Sequence, residues 1–520
     1  MIFTSMRRLK QFMLPMLALL ILILWMISIT WGYGYANLHW RDLLNLGYIN
    51  KDIVFHSAYA HMLATYGKAS TGLDGLPYVP YHFGSHLMAG VIARLLHTST
   101  LTVYNFVFPW LLPFLYIIAF MWFVISLRPR ADWRTNIPFW ILIVAGTVRI
   151  LPQPIADTLG MWNSMFVSES AVLGQTIFFL GAGALARGWA DRSRFFRLIG
   201  LPALCLALGL SKQSLLFIAV VGLGVLLLSE KRWMQKKYWP SVALVAFATY
   251  VSYRAASGTY QTIEIAPFDF VSTWTQTSVP IWLLVNFGWA WLYVGLRLIE
   301  KRRPFTDLYV LAALIIAGLI PALSLKIPGG SAAYFTEIQR FVAVGLLAAW
   351  LPNNIWQQKG GLSRYIKLAF IIILTPVFFN FSLQVIRFTE YNKLSTNTQN
   401  NPVIDQVINQ LNEIAAIPPD VRSQTGLVIE RTHPYWSILN MGAASCSIIP
   451  FLAPALTGVA LIDGLPEMCD SAQHYGYHNY TIHDNSRCTT ALRYGLTQLL
   501  ILETTDRIVE QTCSDTADST

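Results

Sequence analysis

LTVYNFVFPWLLPFLYIIAFMWFVIS, residues 101–126, contains no charged side chain and is followed at once by Arg128, Arg130 and Arg134. At 1.5 Å of rise per residue, a helix over this stretch outspans a bilayer hydrocarbon core of roughly 30 Å. The pattern recurs along the chain. Further apolar blocks lie at about 13–31, 136–150, 168–187, 198–211, 213–229, 239–256, 280–299, 307–325, 341–356 and 366–386. Repetition excludes a single-pass anchor and predicts an α-helical polytopic membrane protein.

The whole composition agrees. Of 520 residues, 55% are hydrophobic and 12% charged, against roughly a quarter charged in an ordinary soluble domain. The net charge of +10 and pI of about 9.3 come largely from short basic loops, so nucleic acid is not an expected partner. Arg7, Arg8 and Lys10 precede the first block. Arg187, Arg192, Arg194 and Arg197 form one later cluster, followed by Lys231, Arg232, Lys236 and Lys237. Arg297, Lys301, Arg302 and Arg303 make another, and Lys359, Arg364 and Lys367 the last. Excess Lys and Arg marks cytoplasmic loops. With every cluster inside, the N-terminus is cytoplasmic, about eleven crossings result, and the C-terminus is extracytoplasmic, in what is expected to be a bacterial plasma membrane. The blocks at 198–211 and 213–229 are short, and a re-entrant pair there leaves the final orientation unchanged.

Two polar regions are predicted outside. Residues 32–100 form a large first external loop with an amphipathic helix near 86–96, assigned with the spans to a domain over 1–389. Residues 390–520 turn to Asn, Thr, Asp and Gln and form a separate small α/β domain. There, 403–414 has helical spacing, and 426–430 and 498–502 read as short strands. Cys446, Cys469, Cys488 and Cys513 lie in this domain, while Cys205 stands alone in an apolar block. Four cysteines on an oxidising side predict two disulfides among three possible pairings, the alternative being buried thiols. No C-x-x-C or His/Cys zinc spacing occurs, and no metal ligand is assigned.

The external loop carries the residues most suited to chemistry. In KDIVFHSAYAHMLATYG, residues 51–67, Asp52 and His56 stand one helical turn apart on one face. A carboxylate and an imidazole so placed can take a proton from a hydroxyl; the other reading is a solvated amphipathic helix capped by Asn50. LPYVPYHFGSHLMAGVIARLL, residues 76–96, places His82 and His86 four apart beside Tyr78 and Tyr81, a ligand pair or a packed aromatic loop. Nothing resembling H-E-x-x-H is present.

This order resembles the GT-C superfamily of membrane glycosyltransferases. It comprises a basic cytoplasmic N-terminus, one helix, a long external loop with D-x-x-F-H and then Y-H-F-G-S-H-L, many short-looped spans and an external C-terminal domain. The architecture covers nearly the whole chain; the motifs cover about 48–100. The resemblance implies a polyprenyl-phosphate sugar as donor and a glycan, lipid or protein as acceptor, with membrane lipids around the spans. It also implies an acid early in the first external loop acting as base or metal-site residue, here Asp52. The adjacent acidic pair of several subfamilies is absent, the neighbours being Lys51 and Ile53, so a divalent metal stays open. His56 is then expected to orient the acceptor.

A donor phosphate needs cations on the outer side. Arg149, Lys212, Arg254, Lys326 and Arg340 fall at external block ends, and Lys212 and Arg340 are the expected phosphate contacts. Lys212 sits within or near the bilayer, where a charge is a functional candidate; snorkelling to the interface is the alternative. Glu337 precedes Arg340 by three residues and is placed to pair with it. Glu337, Asp157 and Glu169 are the second-carboxylate candidates. Two other functions are weighed: a transporter or flippase of a lipid-linked sugar, for which no internal repeat is found, and a non-catalytic assembly factor.

Overall fold

A computed structural model describes residues 13, 15–27, 36, 40–45, 49–128, 137–147, 168–256, 264–274, 277–300, 306–350, 379, 382–383, 385–390, 393, 401–438, 448–463, 473–474, 478–479 and 487–514. The chain divides into two units. One comprises Met1–Ile29, Trp110–Ala256 and Thr262–Ile386; the other comprises Thr30–Pro109, Ser257–Gln261 and Arg387–Thr520.

The first unit is helical. Among the described residues three helices are long and apolar enough to cross a membrane: Thr100–Leu127, which begins in the second unit, Glu169–Ala186 and Thr306–Ser324. A fourth crossing is reached if Val279–Asn286 and Gly288–Leu298, bent by 69° about Phe287, count together. The apolar helices Pro15–Ile27, Phe196–Ser211 and Gln213–Ser229 are shorter. The described helices therefore fall short of eleven crossings. The run at 280–299, which reads as a full span, is interrupted at Phe287, and the short blocks 198–211 and 213–229 meet at Lys212, where the backbone turns extended between two helices. The block at 366–386 and the loop holding Arg149 and Asp157 lie mostly or wholly outside the described residues.

Phe196–Ser211 packs beside Glu169–Ala186 and Trp239–Ala256, and Gln213–Ser229 packs against Thr306–Ser324. Ile338–Trp350 lies against Ile137–Thr147 and Gly288–Glu300. A two-residue antiparallel pair, β1 (Glu264–Ile265) with β2 (Leu325–Lys326), ties two connections together.

The second unit joins residues 30–109 to the C-terminal segment, whereas the sequence reading places 32–100 with the spans. The cause is burial. Lys51–Tyr66 carries apolar or small side chains nearly all round and buries Ile53, Val54, Phe55, Ala58, Tyr59, Ala60 and Met62; a helix apolar on all sides must be covered on all sides. It packs on Ile449–Thr457 and on Gly84–Leu95, so the solvated amphipathic helix does not form. Its start is set by Asn50, whose side chain accepts from the Asp52 N–H, and its end by Gly67 in the left-handed conformation. His61 donates from Nδ1 to the Ala455 carbonyl at 2.9 Å, and burial pulls its pKa down to about 4, so the ring is neutral at ordinary pH. Gly458 closes the partner helix at φ +70°; a Cβ there would stand 2.6 Å from His61 Nε2.

The C-terminal segment is the expected small α/β layer. Parallel strands β3 (Thr425–Ile429), β4 (Ala460–Asp463) and β7 (Gln498–Thr504) stand with antiparallel β8 (Arg507–Thr512) in the order β4-β3-β7-β8. A separate short pair, β5 (Gln473–His474) and β6 (His478–Asn479), lies between β4 and β7 in the chain. β3 is buried throughout, as a central parallel strand must be. The free edge of β4 is met by the loop after Lys51–Tyr66: Leu461 N–H donates to Gly72 O at 2.6 Å, and Gly75 N–H donates to Leu461 O at 3.0 Å. An edge so paired is closed to other chains. Pro402–Ala415 packs beside Ile449–Thr457 and buries Ile404, Val407, Ile408, Leu411 and Ile414.

Cys488 and Cys513 form a disulfide between the Arg487–Arg493 helix and the end of β8. Cys446 and Cys469 lie outside the described residues, and Cys205 is a buried free thiol in the first unit. Mass spectrometry of unreduced peptides should show Cys488 and Cys513 linked and two mass units lighter. Quantitative alkylation of both thiols without reduction would refute the bond.

Candidate functional site

The second unit gathers the candidates from 51–96. Asp52 lies in the first turn of Lys51–Tyr66, where a helix N-terminus favours negative charge. Burial nevertheless pushes its carboxyl up to about 6, with Lys51 pulling weakly the other way. Its Oδ1 is buried and has no hydrogen-bond partner among the described residues. A desolvated carboxylate with an unused acceptor atom binds a proton readily, which a general base requires.

One turn along, His56 Nδ1 lies 3.0 Å from His86 Nε2. One ring donates and the other accepts. His86 is fully buried, and burial together with the neighbouring His56 holds its pKa well below the usual range, which keeps it neutral. The pair is walled by aromatic rings. Tyr104 stacks on His56 at 6.3 Å between centroids and Tyr59 meets His86 at 4.8 Å. Tyr81 lies 5.7 Å from His56 and stacks on His82 at 3.8 Å. Tyr59 is itself fixed by a 2.9 Å hydrogen bond to the Val79 carbonyl. His82 is thus a stacked ring, and His86 is engaged with His56 thirty residues away along the chain more specifically than its i, i+4 spacing to His82 implied.

A divalent metal can be tested against this donor set. Among the described residues no three His, Cys, Asp or Glu side chains converge on one point, and His56 and His86 are bonded to each other. These residues do not fit a protein-held metal.

The expected phosphate contacts lie in the first unit. Glu169, Lys212, Glu337 and Arg340 are all buried, at 7–8% exposure. Lys212 stands over the Tyr334 ring at 3.5 Å and is within electrostatic reach of Glu337 and Glu169. The Arg340 backbone N–H donates to the Glu337 backbone carbonyl at 3.2 Å. Gln175 Nε2 approaches Glu337 Oε2 at 3.5 Å, and Tyr116 lies within reach of both Arg340 and Glu337. The structure therefore sets two acids, Glu337 and Glu169, about Lys212, with Arg340 near Glu337 around Tyr116, in place of an accumulation of cations. Lys326 instead pairs at 3.8 Å with Glu264 at an exposed position, and Arg254 is exposed.

Tyr59, Tyr104, Tyr116, Gln175 and Tyr334 were not singled out in the sequence. Gln175, a polar residue inside an apolar block, was a usable signal for an inward-facing contact; Tyr104, lost among apolar neighbours, offered none. No family model matches the chain, and no curated protein matches it in sequence.

Proposed function

We propose that the chain is an integral membrane glycosyltransferase that moves a sugar from a polyprenyl-phosphate donor to an acceptor hydroxyl on the extracytoplasmic face, with inversion. The observation that carries this reading is the buried Asp52 carboxyl, raised to about 6 with Oδ1 unbonded, beside the His56–His86 pair. Asp52 takes the hydroxyl proton as the acceptor oxygen attacks the anomeric carbon. The anomeric C–O bond breaks, and polyprenyl phosphate leaves with the electron pair. His56, held by His86, orients the acceptor. The proposed topology keeps about eleven crossings, the N-terminus inside and the disulfide-bearing segment outside, where the compartment oxidises thiols.

The test is purified protein with a panel of polyprenyl-phosphate sugars and free acceptors, following release of polyprenyl phosphate. Release dependent on both substrates is expected. Binding or vesicle transport of a lipid-linked sugar without release would replace this reading by a transporter. That second reading is favoured by one observation, the buried, charge-balanced Glu169–Lys212–Glu337–Arg340 set among apolar helices, an arrangement used by coupled carriers.

A further inference from the structure

Two grooves flank the Gln213–Ser229 helix in the first unit. One, of about 590 Å³, lies between it and Trp239–Ala256 and is walled by Leu216, Phe217, Val220 and Val245, with Arg197 and Tyr238 among its polar residues. The other, of about 360 Å³, lies on its far side and is walled by Phe178, Leu204, Leu208 and Leu314. Leu185, Leu201, Leu223 and Leu226 line both and form the ridge between them; Arg232 lines both as well. Two apolar channels thus share one guanidinium.

The charge at that end is one-sided. Residues 191–197 and 230–237 hold seven cations, Arg192, Arg194, Arg197, Lys231, Arg232, Lys236 and Lys237, against two acids, Asp191 and Glu230. Arg232 bonds both acids, to Asp191 at 2.9 Å and to Glu230, and Tyr238 donates to Asp191. Arg197 is buried and donates from Nη1 to the Ala190 carbonyl at 2.8 Å, yet its buried Nε has no hydrogen-bond partner among the described residues. A buried guanidinium N–H left unpaired is costly and calls for an anionic acceptor.

We propose that these grooves bind one diacyl anionic phospholipid, an acyl chain in each and the phosphate on Arg197 and Arg232. Both volumes lie within the range of about 300–1,000 Å³ usual for small-molecule sites. Two chains explain two grooves, and the surplus of five positive charges explains the choice of an anionic headgroup. The inference needs a membrane but no glycosyl transfer, so it stands apart from the proposed function.

The full-length protein in neutral detergent should be titrated with dioleoyl-phosphatidylglycerol, dioleoyl-phosphatidylcholine and the single-chain lysophosphatidylglycerol, with bound lipid counted by native mass spectrometry. One phosphatidylglycerol should be retained, and Arg197→Gln and Arg232→Gln should each weaken it about fivefold. Because those changes disturb packing bonds, Gly224→Leu is the second arm. Gly224 lines the larger groove, and a Cβ there meets nothing within 4 Å. The leucine should fill the groove and displace the lipid without lowering lipid-free stability, as leucine is the better helix former. Equal retention of phosphatidylcholine, equal retention of the single-chain lipid, or an undiminished adduct in Gly224→Leu would each overturn the site.

Discussion

Asp52→Asn should abolish detectable transfer and leave the protein more stable. A general base contributes about 10²–10⁴ in rate, and the amide cannot accept the proton. The carboxyl has a folded pKa of about 6 against 3.8 when unperturbed, so the fold holds the neutral form more firmly than the unfolded chain does. Stability is then full below the unfolded value, falls as pH rises from about 4 to 6, and stays low above that. The cost at neutral pH is about 2 kcal/mol after allowance for residual solvent screening. Asn carries no charge, so unfolding in detergent should show the variant gaining about that much at pH 7 and nothing at pH 4. Wild-type turnover should in turn rise with pH through about 6 as the base ionises. A variant that keeps turnover ends the role of Asp52; one that loses turnover while destabilised to the same extent at both pH values makes Asp52 a structural residue.

The second large effect belongs to the buried charges of the other unit. Removing one member of a paired buried set leaves its partner uncompensated, at a cost of about 3–5 kcal/mol. Glu337→Gln leaves Lys212 facing Glu169 alone, so unfolding should move by that amount. Adding Lys212→Met to Glu337→Gln restores the balance and should recover part of the loss, a positive coupling in a double-mutant cycle. If Glu337→Gln unfolds within about 1 kcal/mol of wild type, below the buried-pair range, the four groups are not acting as a balanced set. Lys212 and Arg340 then regain their standing as an open anion site.

Local signals in the sequence carried well where neighbours along the chain decide the outcome. Asn50 ahead of Asp52 and Gly67 behind Tyr66 bracket the helix that forms, and the apolar spacing of 403–414 becomes Pro402–Ala415. The strands near 426–430 and 498–502 appear as β3 and β7, paired from Thr425 with Gln498 to Ile429 with Leu502. Partners far apart in sequence were beyond such reading. His61 drew no attention because the carbonyl that satisfies it is on Ala455. The neutralisation of Lys212 was equally hidden, since Glu337 is more than a hundred residues away. Burial of the Lys51–Tyr66 helix was legible in principle, for its apolar residues leave no polar face; the Asp52 and His56 spacing drew the reading towards one side.

That helix has a consequence for how the chain is made. Part of its cover arrives late, because Ala455, which accepts from His61, is synthesised 394 residues afterwards, roughly 20–80 s at about 5–20 residues per second. For that interval the face that will meet Ile449–Thr457 must wait uncovered, with only Gly84–Leu95 beside the helix, in the company of the unpaired segment 72–75. A nascent chain in this state is a natural client for holding factors, and a chain truncated before Arg387 would never leave it.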